Sequence, residues 1–129
     1  VNDQKPNFVL QKVQQAVLNT SKDISKISIA CLGLSFKPDI DDLRESPALE
    51  ITKKIVNMGF EKKYIVEPNI ESLPAELKTK SSELVELQKA IVSSDILLLL
   101  VDHTSFKKMN LGLLSGKQIV DTRGTWSEK

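Results

Sequence analysis

Cysteine is nearly absent from this 129-residue chain, which contains one, Cys31. A single thiol cannot build a disulfide framework or a metal cluster held by several cysteines. The composition therefore excludes the small disulfide-stabilised secreted domains. We expect a reducing, cytoplasmic compartment.

Long apolar runs are also missing. The longest, Ile96 to Val101, is far shorter than the ~20 residues that a membrane-spanning helix needs. The N-terminus has neither the basic segment nor the apolar stretch of a secretory signal. Because the chain begins at Val1 rather than at a methionine, we expect it to be a piece of a longer protein.

Neither sign of charge dominates the sequence. Lysine and arginine number 18, aspartate and glutamate number 17, and the two kinds are interspersed along the chain. This balance argues against an extended surface for nucleic acid or for an anionic membrane. It leaves room for a local anion site.

The glycine-rich fingerprints of nucleotide-binding loops are missing. No stretch reads Gly-x-Gly-x-x-Gly or matches a Walker A loop, so we do not expect this chain alone to bind a complete dinucleotide. Asp39, Asp41 and Asp42 lie close together, but the ligand spacing of an EF-hand and its final glutamate are absent. No metal site is predicted.

What the sequence does contain is a regular alternation of two kinds of segment. Apolar, β-rich segments occupy residues 26–33, 64–66, 96–101 and 117–121. Helical spacing of apolar residues occupies 7–19, 47–58, 82–92 and about 105–109. Strands that are apolar throughout indicate a parallel sheet covered on both faces. The sequence therefore predicts a Rossmann-like three-layer α/β/α fold with a mostly parallel sheet and a leading N-terminal helix.

The second helix has clear signals at both ends. Ser46 offers a capping oxygen, and Pro47 suits the first helical position because that position needs no N–H. We expect Gly59 to provide the C-terminal cap.

Ligands of open parallel sheets bind beyond the carboxyl ends of the strands, and the loops there carry the unusual side chains. Lys37 and Arg44 lie on the loop that leads to the helix at Pro47, whose free N–H groups and dipole favour an anion. Phe36 places an aromatic ring beside the cation of Lys37, a pair suited to a base or sugar joined to a phosphate. The same residues are also compatible with an ordinary charged turn.

Three other side chains have competing interpretations. Cys31 lies inside a predicted strand, where a thiol behaves as a small buried hydrophobe rather than a nucleophile. His103 follows a strand beside Asp102, which suits an acid–base imidazole, but a structural, hydrogen-bonding role is favoured over it. Trp126 packs either on the leading helix or on another part of the protein. We predict no catalytic residue in this chain.

One long motif resembles a known family. The run from Cys31 to Ala48, Cys-Leu-Gly-Leu-Ser-Phe-Lys-Pro-Asp-Ile-Asp-Asp-Leu-Arg-Glu-Ser-Pro-Ala, is similar to the segment that opens the C-terminal domain of the UDP-glucose/GDP-mannose dehydrogenase family. Residues 66–70, residues 100–103 with Phe106, and residues 120–126 resemble the bacterial branch that oxidises UDP-N-acetyl-D-mannosamine. The first six residues resemble the end of the central helix of these enzymes.

The resemblance implies a division of the chain and of the enzyme. Residues 1–22 would end the central connecting helix, and residues 23–129 would form the C-terminal UDP-sugar-binding domain. The whole enzyme would be a homodimer that oxidises a sugar C6 alcohol to a carboxylate in two NAD-dependent steps, for surface polysaccharide synthesis. Its catalytic cysteine and glycine-rich NAD loop would lie in other domains, so the isolated domain is expected to be inactive.

The resemblance also implies roles for particular residues. Phe36 and Lys37 take the positions that contact the UDP-sugar, and Arg123 near the last strand is the candidate to reach the nucleotide. Arg44, seven residues after Lys37, takes the position that approaches the NAD held by the other domain. Partners are therefore the UDP-sugar and the remaining domains of the same enzyme.

Two other classes of function remain open on the residues alone. One is a free-standing nucleotide-binding or regulatory α/β module without catalysis. The other is a flavodoxin-like signalling domain in which Asp39, Asp41 and Asp42 would form an acidic pocket, although the neighbouring Lys37 and Arg44 favour an anionic ligand.

Overall fold

The computed structural model describes residues 6–40 and 42–126. Within them one sheet contains five parallel strands in the order β3-β2-β1-β4-β5. The strands are β1 (Ser28–Leu32), β2 (Lys62–Val66), β3 (Ser82–Leu84), β4 (Ile96–Leu99) and β5 (Gln118–Asp121). The helices are α1 (Pro6–Thr20), α2 (Pro47–Val56), α3 (Leu87–Ser93) and α4 (Thr104–Lys107), and short 3-10 turns occupy Ile24–Lys26, Ala75–Leu77 and Leu111–Leu114.

Helices cover both faces of the sheet, because successive side chains of a parallel strand point to opposite sides. On β1, Ile29 and Cys31 pack in the core beneath α1 and α2, whereas Ala30 and Leu32 face a second core that includes residues of α3 and α4. A third cluster lies between α2 and the β2–β3 half of the sheet. The Rossmann-like three-layer α/β/α fold with its leading helix is thus confirmed.

The predicted strands and helices form, with shifts of a few residues at their ends. The largest error concerns residues 82–92, which we predicted as one helix. The segment divides into β3 and the later helix α3, and Val85 extends the strand ladder by donating its N–H to Ile65 O at 2.9 Å. Since β3 is short, polar and an edge strand, its pairing with β2 rather than its own apolar content makes it a strand.

The start of α2 agrees with the prediction, and its end does not. Ser46 is the N-cap and Pro47 the first helical residue, as predicted. The C-cap is Asn57 and not Gly59: the Asn57 side chain donates to Lys53 O at 2.9 Å, which satisfies a terminal carbonyl without a left-handed glycine.

Some expectations lie outside the described residues. They are those that concern residues 1–5 and Asp41.

Candidate functional site

The carboxyl end of β1 opens into the site loop, defined here as residues 34–40 and 42–46. Gly33 begins the turn with φ +98, and its N–H donates to Val66 O at 2.8 Å. The loop then closes on itself, because Phe36 N donates to Asp42 O at 2.9 Å. At its end Ser46 accepts from Leu49 N at 3.3 Å and donates to Leu34 O at 2.7 Å. The hydroxyl of Ser46 therefore ties the start of α2 to the start of the loop.

Phe36 lies between two clefts at this edge of the sheet. The first cleft brings the site loop and the start of α2 against the ends of β4 and β5, and its lining residues are Ser35, Phe36, Pro47, Ala48, Ile51, Leu100, Val101, Thr122 and Arg123. The second, of about 270 Å³, is lined by Phe36, Asp42, Arg44 and Glu45. The structure thus brings Phe36 together with Arg123 on one side and with Arg44 on the other.

Arg123 is the one charged residue among those that line the first cleft. Its Nε donates to Leu100 O at 3.2 Å and lies 4.0 Å from the Asp102 carboxylate. Its turn is held by Asp121, whose two oxygens accept from Arg123 N at 3.0 Å and from Trp126 N at 2.6 Å. Within the described residues the two Nη groups make no hydrogen bond. They can therefore donate to an anion at the cleft.

Lys37 is exposed and lines neither cleft. Its Nζ lies 6.0 Å from the centroid of the Phe36 ring, and that ring is 47% exposed. The sequence placed this pair side by side, and the structure keeps both groups in solvent at the rim of the clefts. An aromatic face beside a free ammonium can take a planar ring joined to an anion.

Arg44 is bound by its own loop. Its Nε and Nη2 donate to the two oxygens of Asp42 at 3.1 and 3.0 Å. The hydrogen bonds from Arg44 lower the pKa of Asp42 to about 2. Since the Arg44 side chain is 89% exposed, solvent screens the pair, and a phosphate can compete for the guanidinium.

A buried pair of polar side chains, Glu67 and His103, lies beneath the site loop, and the sequence did not predict that these two residues meet. Glu67 at the end of β2 and His103 after β4 are 2% and 1% exposed, and their side chains meet with Nε2 2.9 Å from Oε1. The sequence suggested Asp102 as the partner of His103, but Asp102 faces Arg123 instead. The strand order puts β1 between β2 and β4, so residues that follow those two strands meet over the end of β1.

Ser35, His103 and Glu67 do not form a catalytic triad. The Ser35 hydroxyl donates to Lys37 O at 2.6 Å, and it approaches His103 at 3.4 Å through the same Nε2 that contacts Glu67. A triad needs the two ring nitrogens to face the nucleophile and the carboxylate separately. Ser35 is also only 1% exposed, and its hydroxyl proton is taken by the Lys37 carbonyl.

The pKa of Glu67 reflects two opposed effects. Burial raises it, but the hydrogen bonds from His103 and from the backbone N–H groups of Leu34 and Asn69 outweigh burial and hold it below its usual range. Glu67 is therefore an ionised carboxylate inside the fold, stabilised by donors.

Cys31 and Trp126 are both buried residues of the core. Cys31 is fully buried in β1, and burial raises the pKa of its thiol to about 12 in spite of a hydrogen bond with Thr52. Trp126 packs in the core on the side of α3 and α4, with Nε1 donating to Phe106 O at 3.1 Å, so it does not cover the leading helix. Among the residues that the structure describes, no group of three His, Cys, Asp or Glu side chains could hold a metal ion, and no helix is long and apolar enough to cross a membrane.

These features define a parallel α/β domain with clefts at the carboxyl edge of the sheet, where ligands of such sheets bind, next to an exposed Phe–Lys pair and an arginine. Residues 30–128 match the sequence model of the UDP-glucose/GDP-mannose dehydrogenase family, UDP binding domain. The chain belongs to this family.

Individual relatives are also named as dehydrogenases of nucleotide sugars. The chain is 45% identical over its whole length to an NDP-N-acetyl-D-galactosaminuronic acid dehydrogenase of Ralstonia solanacearum, of which it covers 29%. It is 44% identical to the UDP-N-acetyl-D-mannosamine dehydrogenase of Escherichia coli K12, with 98% of this chain and 31% of the relative covered. The solved structure of a UDP-D-ManNAc dehydrogenase from Pyrococcus horikoshii matches 96% of this chain and 28% of its own with a TM-score of 0.75 and 25% identity. The chain thus spans less than a third of the length of these relatives.

Proposed function

We propose that this chain is the C-terminal UDP-sugar-binding domain of an NAD-dependent UDP-sugar 6-dehydrogenase and that it supplies one wall of the nucleotide-sugar site. The observation that carries the proposal is the first cleft, where Phe36 and Arg123 come together beside the start of α2. That cleft is narrow, about 10 Å³, so Arg123 offers its two Nη donors to a diphosphate at the mouth of the cleft, and Lys37 adds a cation at the rim. Phe36 offers its exposed ring to the base or the sugar.

Arg44 serves the second cleft in this proposal. It approaches the NAD that the other domain holds and exchanges Asp42 for a cofactor phosphate. The oxidation itself takes place on residues of the other domains, since Cys31, the chain's one thiol, is buried with a raised pKa. The isolated domain is therefore inactive, and the whole protein is a cytoplasmic homodimer.

The sugar in this proposal is N-acetyl-D-mannosamine, oxidised to its uronic acid for surface polysaccharide. Two of the relatives above are named for that substrate, and the third is named for an N-acetyl-D-galactosaminuronic acid. All three names share a 2-acetamido sugar.

The direct test is a titration of the 129-residue chain with UDP, followed by amide chemical shifts, with UMP and NAD as comparison ligands. We expect UDP to shift the amides of Leu34 to Arg44 and of Arg123, and UMP to bind more weakly because it offers one phosphate fewer to the cations. Shifts spread over the whole surface, or none at millimolar UDP, contradict the half-site.

A pair of lysine variants sharpens the test. Lys37→Ala should weaken UDP binding about tenfold because a charge-assisted contact to phosphate is lost. Lys12→Ala is the matched control, since Lys12 Nζ lies 4.9 Å from the centroid of the Phe8 ring on α1, the same chemistry in another place. Equal affinities for the two variants would remove Lys37 from the site.

A further inference from the structure

The part of the site loop that carries Phe36 and Lys37 is fastened at both ends by side chains that do not line either cleft. At its start, Oε1 of Glu67 accepts from Leu34 N at 2.8 Å and from Ser35 N at 3.2 Å. At its far end, Nδ1 of His103 accepts from Asp39 N at 2.7 Å. Because Glu67 and His103 also bond to each other, the two ends of the segment are tied to one buried unit.

The hydrogen bonds fix the protonation of both members of this unit. His103 accepts at Nδ1 and donates from Nε2 to Glu67, which requires the neutral tautomer with its proton on Nε2. Glu67 accepts through its other oxygen from Asn69 N at 3.1 Å and Asn69 Nδ2 at 3.0 Å. Within the described residues all five groups that bond to its carboxylate are donors, so no amide or protonated acid can replace the carboxylate without setting donor against donor.

The far end of the segment needs this support because its backbone is strained. Asp39 has φ +63, a left-handed conformation that non-glycine residues seldom adopt. The carboxylate of Asp39 accepts from Thr104 N at 2.8 Å and Thr104 Oγ1 at 2.6 Å, and its N–H is held by His103. Residues that follow β4 thus hold Asp39 in this conformation.

We propose that His103 and Glu67 are positioning residues that preorganise the Phe36–Lys37 segment for a nucleoside diphosphate, an inference that rests on the proposed function. Their hydrogen bonds to Leu34 N, Ser35 N and Asp39 N hold the loop backbone and set its shape before the ligand arrives. A segment held in place loses less conformational freedom on binding, so its affinity for the ligand is higher. The side chains of Phe36 and Lys37 themselves stay exposed at the rim.

The test compares three variants of the 129-residue chain. His103→Leu removes both hydrogen bonds, whereas His103→Gln keeps an N–H and an oxygen at a spacing close to that of Nε2 and Nδ1. Ile91→Ala, in α3 and 2% exposed, is the stability control, because it opens a cavity in the core without touching the site loop. Each variant is measured for thermal midpoint, amide hydrogen exchange and UDP dissociation constant.

We expect His103→Leu to speed amide exchange at Ser35 and Asp39 about tenfold, the effect of losing the hydrogen bond that holds the loop at Asp39. UDP binding should weaken by a similar factor. His103→Gln should restore most of both, and Ile91→Ala should lower the thermal midpoint while leaving both near wild type. Wild-type UDP affinity in His103→Leu overturns the positioning role alone. A wild-type chain that does not bind UDP overturns the proposed function, and the exchange rates then report whether the pair still holds the loop.

A measurement on the unaltered chain covers the case in which His103→Leu does not fold. The ring ¹⁵N shifts of His103 should show a protonated Nε2 and a bare Nδ1, with a coupling from Nδ1 to the Asp39 amide proton. A proton on Nδ1 contradicts the proposal, because that nitrogen could then no longer accept from the loop.

Discussion

At the scale of single residues, the site loop depends on positions that tolerate no other amino acid without strain. Gly33 is one of them, because the turn that starts the site loop requires a positive φ and leaves no room for a side chain. A Cβ built there would lie 2.6 Å from Val101 Cβ and 2.9 Å from Val101 N. Neither atom can move cheaply, since Val101 N also donates to Leu32 O.

We predict that Gly33→Ala lowers the free energy of unfolding by about 2–4 kcal/mol, the sum of a strained backbone and a forced contact. Gly116→Ala is the control, because Gly116 has a similar φ of +81 but open space around it, so only the backbone cost of about 1 kcal/mol remains. Urea unfolding of both variants measures the difference. Equal losses would show that Val101 makes way for the methyl group.

At the scale of elements, α2 connects the core to the first cleft. Its buried face packs on β1 through residues such as Ile51 and Ile55, and its first turn lines the cleft that contains Arg123. Ser46 controls this start with one hydroxyl that accepts from Leu49 and donates to Leu34. The helix cap and the path of the loop are therefore coupled.

Ser46→Ala should cost about 1–2 kcal/mol of unfolding free energy, at the upper end for a lost helix cap because the buried Leu34 carbonyl loses its donor as well. Asn110→Ala, which removes the exposed cap of a short 3-10 turn, should cost less. Chemical denaturation gives both values. A cost for Ser46→Ala no larger than that for Asn110→Ala would mean that water takes over both partners of the hydroxyl.

At the scale of the whole molecule, stability depends on carboxylates whose pKa values the fold lowers. Hydrogen bonds from Ser25, Thr104 and Arg44 lower the pKa values of Asp23, Asp39 and Asp42. Glu67 differs from these exposed groups because it is buried, and its donors must outweigh that burial. A lowered pKa in the fold means that the contribution to stability is complete above the unfolded value and is lost as the pH falls through the folded value.

We therefore predict that the chain loses stability below about pH 4.5, the ordinary value for glutamate. Glu67→Gln should be less stable than wild type at pH 7, by about 1–3 kcal/mol, because its amide group faces donors. The gap between the two should close as the pH falls, since protonated Glu67 meets the same donors. Urea midpoints between pH 7 and pH 3 measure it, and a gap that stays constant over this range would assign the stability to other carboxylates.

Local patterns in the sequence are enough to predict part of this structure. Runs of apolar residues predict the strands that lie within the sheet, and Ser46 followed by Pro47 predicts where α2 begins. The long motif from Cys31 to Ala48 predicts the family. These features need only neighbours along the chain, or a rule that holds for every parallel sheet, to be read correctly.

Contacts between residues that lie far apart in the sequence depend instead on how the chain folds. β3 forms because it pairs with β2 at the edge of the sheet. Asn57 caps the end of α2 because its side chain donates to Lys53 O. Glu67 meets His103, and Phe36 shares a cleft with Arg123, because β1 lies between β2 and β4 and β5 follows β4 in the sheet. Glu67 and His103 lie 36 residues apart in the sequence. Strand order brings them together, and no local propensity encodes that order.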